Sequence, residues 1–304
     1  MARVFVTREI VGAALDRLRA AHDVIVWDQP TPPSAEELRA GVEDAEGLLC
    51  LLTEQVDAAL LDAAPRLRAI ANYAVGHDNI DLAAAAARGI RVGVTPDVLT
   101  DATADLAFAL LLAAARQLPD AQAAVAAGRW RTWEATRWLG SDVHGATLGI
   151  VGFGRIGRAV ARRATGFAMT VLATRETPLE ELLDRSDFVS LHCPLTPATR
   201  HLIDADALAR MKPTAILVNT ARGGIVDQRA LVEALHATTI AGAALDVTDP
   251  EPPPLDDPLL SAPNVIVLPH VGSATHTARA RMTELAVENL LAGLDGRPMP
   301  YPVP

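Results

Sequence analysis

The chain has 304 residues, half of them apolar and 21% charged, and its 27 Lys and Arg against 37 Asp and Glu leave a net charge of −10. That length suits two domains better than one hydrophobic core. The acidity excludes a nucleic-acid binder, which needs a basic face for phosphates, and the longest apolar run, Leu106–Ala115, is too short to cross a bilayer.

Met1–Ile10 has no apolar signal-peptide core and reads as a strand rather than a signal peptide. In chain order, Arg3–Thr7, Asp23–Trp27, Gly47–Leu52, Ala69–Ala71 and Arg91–Val94 read as strands. Ala13–Ala21, Ala35–Val42, Asp57–Ala64 and Leu82–Arg88 read as the helices between them, with Pro65, Gly76, Gly89 and Pro96 in the loops. Strict β/α alternation implies a parallel sheet covered on both faces. A long helix follows over Asp101–Gln117, capped by Thr100 or Asp101. Six more strands are expected at Thr147–Val151, Thr170–Thr174, Phe188–His192, Ala215–Asn219, Gly242–Leu245 and Val265–Leu268, the number a complete doubly wound dinucleotide domain needs. The last helix, Thr277–Leu294, can return to the first domain. The expected fold is α/β with two doubly wound parallel-sheet domains. A Rossmann cofactor domain spans 98–282, and a discontinuous flavodoxin-like substrate domain spans 1–97, completed by 283–304. Cys50 and Cys193 are the only cysteines, so neither a disulfide framework nor a metal site is expected, in a soluble cytoplasmic protein.

The strongest motif is Gly152-Phe-Gly154-Arg155-Ile156-Gly157, which follows an apolar strand and opens a helix from Arg155 to Ala164. Its first glycine suits the tight turn, its second the close approach of a pyrophosphate, and its third the packing of helix on strand. The helix start offers N–H groups and the positive end of its dipole to phosphate. A glycine turn can also serve packing alone, but the five strands downstream favour the cofactor. About 20 residues on, a carboxylate would hold the ribose of NAD; the second strand ends instead in Ala173-Thr174-Arg175-Glu176. A hydroxyl beside a guanidinium suits a 2′-phosphate. NADP(H) is therefore favoured, with NAD(H) the alternative if Glu176 takes the ribose.

Three later segments leave the C-terminal ends of strands, where open α/β sheets bind ligands. They carry Arg222, Glu251 and His270. Singly, each reads as a surface charge or a structural histidine. Together they fit reduction of a 2-oxo acid: Arg222 pairs with the carboxylate and polarises the carbonyl. His270 gives its proton to the developing alkoxide, oriented by Glu251.

These motifs, with Asn219-Thr-Ala-Arg-Gly-Gly, Asp246-Val-Thr-Asp-Pro-Glu-Pro, Pro269-His-Val-Gly-Ser-Ala-Thr, Tyr73–Asp81 and Leu48–Thr53, resemble the D-isomer-specific 2-hydroxyacid dehydrogenases over nearly the whole chain. The branch they are most similar to is glyoxylate/hydroxypyruvate reductase; phosphoglycerate dehydrogenase and dinucleotide-sensing corepressors of the same fold are the alternatives. The resemblance implies that Arg222, Glu251 and His270 are catalytic and that substrate binds between the domains. It implies that the Val75 and Gly76 N–H groups hold the substrate carboxylate, with Leu51 near the substrate. Thr220, Ala221 and Asp246 would meet the nicotinamide, and Cys193 and Pro194 the adenine ribose. Two departures stand out: the stretch between Arg175 and Leu182 is short for the family, so the 2′-phosphate pocket is expected to be truncated or reshaped, and His77 occupies a spot where an apolar or tyrosine residue is more usual.

Trp130, Trp133 and Trp138 lie within nine residues, as a hydrophobic anchor or as an interface rich in aromatics. By resemblance the segment crosses to a second copy in a homodimer, where Trp133 of the partner subunit limits substrate size. Residues 1–97 hold 9 basic and 15 acidic side chains. Attraction for anionic ligands must therefore be local: Arg222, Arg175, the Gly152–Gly157 helix start and the Val75–Gly76 backbone.

Overall fold

The computed structural model describes residues 1–303, which divide into two compact units, 1–99 with 274–303, and Thr100–Ser273. The first begins with β1 (Arg3–Val6), α1 (Ala14–Ala21), β2 (Asp23–Val26) and α2 (Ala35–Val42). It continues through β3 (Gly47–Cys50), α3 (Ala58–Asp62), β4 (Ala69–Asn72), α4 (Leu82–Ala87) and β5 (Arg91–Gly93). Helix starts are set locally. Ser34 and Glu37 close a capping box on α2, while Asp57 and Asp81 accept N–H groups of the first turns of α3 and α4. All five strands are parallel, in the order β2-β1-β3-β4-β5. That is the flavodoxin-type order. The central strands β3 and β4 are buried at every residue because both faces are covered, whereas the edge strand β2 is exposed or half-buried throughout.

The second unit opens with α5 (Thr100–Ala115) and α6 (Leu118–Ala126). Thr100 and Asp101 lie inside the first turn of α5 rather than capping it. Gln117, in the left-handed region at φ 50°, turns the chain into α6, a helix absent from the sequence-based expectation. Then come β6 (Thr147–Val151), α7 (Arg155–Ala164), β7 (Thr170–Ala173), α8 (Leu179–Arg185), β8 (Phe188–Leu191) and α9 (Ala205–Arg210). The unit ends with β9 (Ile216–Asn219), α10 (Gln228–His236), β10 (Gly242–Leu245) and β11 (Val265–Val267). The six parallel strands run β11-β10-β9-β8-β6-β7.

A dinucleotide domain with two full halves runs 3-2-1-4-5-6; counted within this unit the order is 2-1-3-4-5-6. The fold is doubly wound, but its first half lacks a third strand and β7 is left as the sheet edge. The cause is the short stretch after Arg175. Only a turn and α8 connect β7 to β8, so the chain crosses directly to the other side of β6. The strand reversal between β6 and β8 remains, and it is there that such sheets open a ligand crevice.

Helix α11 (His276–Leu294), capped by Thr275, packs on α1 and β4 of the first unit. It is unbroken, so the chain changes unit at Ser273, ahead of the helix, rather than at 283. Among the described residues no helix is long and apolar enough to cross a membrane, and no three His, Cys, Asp or Glu side chains are grouped to hold a metal ion. In the irregular segment after α6, Trp130 is 64% and Trp133 82% exposed.

Candidate active site

The glycine turn divides its three glycines by what forbids a side chain. Gly152 has φ +93°, and a Cβ on it would lie 2.4 Å from the Cys193 backbone nitrogen. A Cβ on Gly157 would lie 2.2 Å from the Gly152 carbonyl oxygen, which is how α7 packs so closely on β6. Gly154 has neither constraint: an added Cβ meets nothing within 4 Å, and its φ is −77°. The fold therefore explains the first and third glycines and leaves the second to a ligand. Arg155 and Ile156 form the first turn of α7 beside it.

The Gly152 N–H donates to Thr174 Oγ1 at 3.0 Å, tying the tip of β7 to the turn. Thr174 is thus engaged by the backbone, and Arg175 and Glu176 are the exposed side chains beyond it. A cavity of about 510 Å³ opens here, lined among others by Gly152, Thr174, Arg175, Glu176, Cys193 and Leu202. Burial pushes the Cys193 thiol above its ordinary pKa, in keeping with a lining hydrophobe. The adjacent Pro194 is held by its carbonyl, which accepts from Thr199 Oγ1 at 2.6 Å.

The three candidate catalytic residues leave the tips of neighbouring strands β9, β10 and β11. Beyond β9, buried Asn219 braces the turn: its Nδ2 donates to the Arg222 carbonyl at 2.8 Å and its Oδ1 accepts the Ala221 N–H at 3.0 Å. The Arg222 guanidinium donates to the Ala221 carbonyl at 2.8 Å. A Cβ on Gly223 would fall 2.0 Å from the Thr248 carbonyl oxygen, so this turn lies directly against the loop that carries Glu251. His270 sits in the left-handed region at φ 53°. Its Nδ1 and Glu251 Oε1 are 2.5 Å apart.

Asp246 holds the His270 turn in place. Its carbonyl accepts the His270 N–H at 2.9 Å, and its carboxylate accepts the N–H groups of Val271 and Gly272, each at 2.7 Å. Burial pushes the Asp246 carboxyl above its ordinary pKa, against the pull of those donors. From sequence Asp246 points only at the cofactor; its grip on the histidine turn is set by the tertiary fold.

Of the four buried side-chain polar atoms without a hydrogen-bond partner among the described residues, two lie here, Thr220 Oγ1 at the tip of β9 and His192 Nδ1 at the tip of β8. Each follows the last paired residue of its strand, Leu191 in β8 and Asn219 in β9. The other ring nitrogen of His192 is 2.8 Å from Ser190 Oγ, and burial lowers its pKa to about 4. His192 escaped the sequence reading because it sits within a strand pattern. Leu51, Val75 and Gly76 belong to the first unit, on the loops after β3 and β4.

A profile of the D-isomer-specific 2-hydroxyacid dehydrogenases, NAD-binding domain, matches residues 108–272, more than half of the chain. The chain belongs to this family. It is an NAD(P)-dependent dehydrogenase. A glyoxylate reductase of Korarchaeum cryptofilum is 51% identical over 305 residues, covering 95% of this chain and 92% of that protein. Among solved structures, a protein from Thermus thermophilus is 51% identical with a TM-score of 0.94, covering 99% of this chain and all of that one. An NADPH-dependent glyoxylate/hydroxypyruvate reductase from Sinorhizobium meliloti, solved with NADP and malonate, is 36% identical with a TM-score of 0.87, covering 99% of this chain and 96% of that one. The cofactor is a nicotinamide dinucleotide, and the chain's own residues fit one: Gly154 leaves a cradle that a Cβ would fill, and Thr220 offers an orphaned hydroxyl.

Proposed function

We propose that this dehydrogenase reduces a small 2-oxo acid, glyoxylate or hydroxypyruvate, to the D-2-hydroxy acid, with NADPH the favoured donor. The observation that carries the reading is the 2.5 Å contact of His270 Nδ1 with Glu251 Oε1, one strand from the Arg222 turn. When bound, the nicotinamide supplies the hydride. Arg222 pairs with the substrate carboxylate and draws charge toward the carbonyl oxygen. Glu251 holds the imidazole by Nδ1, which turns Nε2 to the substrate. From Nε2 the proton passes to the oxygen as it becomes an alkoxide, and Glu251 stabilises the imidazolium before the step. The Val75 and Gly76 N–H groups receive the carboxylate, with Leu51 beside the substrate; Thr220, Ala221 and Asp246 take the nicotinamide end.

NADPH is favoured because Arg175 stands at the tip of β7 in the cavity, while Thr174 is already bonded to the turn. With no strand beyond β7, Arg175 is the lining residue that would hold a 2′-phosphate by its charge. The exposed Trp130 and Trp133 support a homodimer, with Trp133 of the partner subunit reaching the substrate; light scattering should return the mass of two copies.

The test is a set of kcat/KM values with NADPH and NADH, on glyoxylate and on hydroxypyruvate. Arg222→Ala should abolish turnover. Arg175→Ala should weaken NADPH about tenfold or more and leave NADH nearly unchanged. No turnover of glyoxylate, hydroxypyruvate or pyruvate with either cofactor would sink the reading.

A further inference from the structure

The loops carrying Leu51 and the Val75–Gly76 pair follow adjacent strands, β3 and β4, whose last paired residues are Cys50 and Asn72. Just past that pair the Tyr73 N–H donates to the Cys50 carbonyl at 2.8 Å. Further out, side chains join the two loops. Asn79 Nδ2 donates to the carbonyls of both Leu51 and Glu54, each at 3.0 Å. Its Oδ1 accepts from Asn72 Nδ2 at 3.0 Å, and the same Nδ2 donates to the Gly76 carbonyl at 2.8 Å. From the other side, the Glu54 carboxylate accepts the Leu51 N–H at 2.7 Å and the hydroxyls of Thr7 and Thr53, each at 2.5 Å. Arg8 stands 3.6 Å from the same carboxylate.

The polar core of this arrangement is out of water: Asn72 is 0%, Glu54 2% and Asn79 5% exposed. Each asparagine uses both amide hydrogens, and each amide oxygen accepts, Asn72 Oδ1 from the Cys50 thiol at 3.6 Å. A satisfied buried network is rigid, and each bond removed from it strands a carbonyl or an N–H. A planar amide at Asn79 is the piece that meets both loops at once.

We propose that Asn79 is a positioning residue for the 2-oxo acid: it fixes the Val75–Gly76 turn and Leu51 relative to each other, with Glu54 anchoring Leu51 by its N–H. The inference rests on the assignment of those three residues to substrate made above. It adds a determinant of substrate affinity that touches neither substrate nor cofactor. Loosening the clamp should spread the carboxylate-binding loop over several arrangements, of which a fraction bind, and apparent affinity falls by that fraction.

The experiment compares wild type, Asn79→Ala, Glu54→Gln and the double variant in NADPH-dependent glyoxylate reduction, with folding checked by circular dichroism. Asn79→Ala should raise the glyoxylate KM about tenfold or more, with kcat within about threefold and the NADPH KM within about twofold. Glu54→Gln keeps the volume and an acceptor for the Leu51 N–H, so its KM should rise about threefold. The double variant should fall short of the product of the two, because both act on one loop. If Asn79→Ala does not fold, the Glu54→Gln split between KM and kcat carries the test alone. An unchanged glyoxylate KM in a folded variant overturns the clamp, and so does a fall in kcat and melting temperature at constant KM. Wild type without turnover on any 2-oxo acid overturns the substrate assignment and the clamp together; wild-type turnover with unmoved variants overturns the clamp only.

Discussion

Gly154→Ala separates what the glycine turn does for the fold from what it does for the cofactor. Gly154 is the N-cap of α7 with φ −77°, a conformation open to alanine, and the added methyl meets nothing within 4 Å. Alanine is the poorer N-cap by about 1 kcal/mol. Against that, losing the freedom of glycine in the unfolded chain returns about 0.4–1 kcal/mol. The two nearly cancel, and the melting temperature should move by no more than about 3 °C. At Gly152 and Gly157 the same change drives a Cβ to within 2.4 Å and 2.2 Å of backbone atoms, so those variants should unfold markedly more easily. For NADPH the order reverses. A methyl on Gly154 would lift a pyrophosphate held there from the N–H groups at the start of α7. One or two charge-assisted hydrogen bonds at about 1.5–3 kcal/mol each then weaken, a loss of about ten- to a hundredfold in affinity. Thermal melts paired with titration of NADPH fluorescence read both quantities on the same sample. A Gly154→Ala protein that binds NADPH within about twofold of wild type would refute the argument.

Glu251→Gln removes the carboxylate at Nδ1 of His270 and should lower kcat/KM for the 2-oxo acid about a hundredfold or more, with the NADPH KM nearly unchanged; steady-state kinetics would detect a smaller effect. His192 makes stability pH-dependent, since burial lowers its pKa from 6.5 to about 4. The unfolded chain then takes up this proton first, so the contribution is complete above pH 6.5 and is lost as pH falls toward 4. At pH 4.5 the loss from this one group is on the order of 2–3 kcal/mol. His192→Gln should flatten that part of the profile in urea melts between pH 7 and 4.5, and an unchanged slope would remove His192 as its source.

Most of the secondary structure is legible in the chain because its signals are local. The first-unit strands end within two residues of expectation, since short apolar runs between β/α punctuation leave little latitude. The glycine turn and the three strand-tip residues are legible because each directly follows a strong strand pattern. Helix α6 escaped notice because Pro119 sits in its first turn and reads as a break. The strand count in the second unit also misled: six strands are present, but not as two full halves.

By itself the sequence determined the fold class, the family, the glycine turn and the residues whose chemistry suits a 2-oxo acid reductase, because each rests on residue type and spacing along a few adjacent positions. Tertiary structure alone decided the rest. It shows that β7 is an edge, that Gly154 is the one glycine of the motif the fold does not require, and that Asp246 grips the His270 turn. It also shows that Asn79 reaches back to Leu51, 28 positions away. A buried polar side chain is satisfied by whichever atoms the sheet order brings beside it, and no local pattern encodes that order.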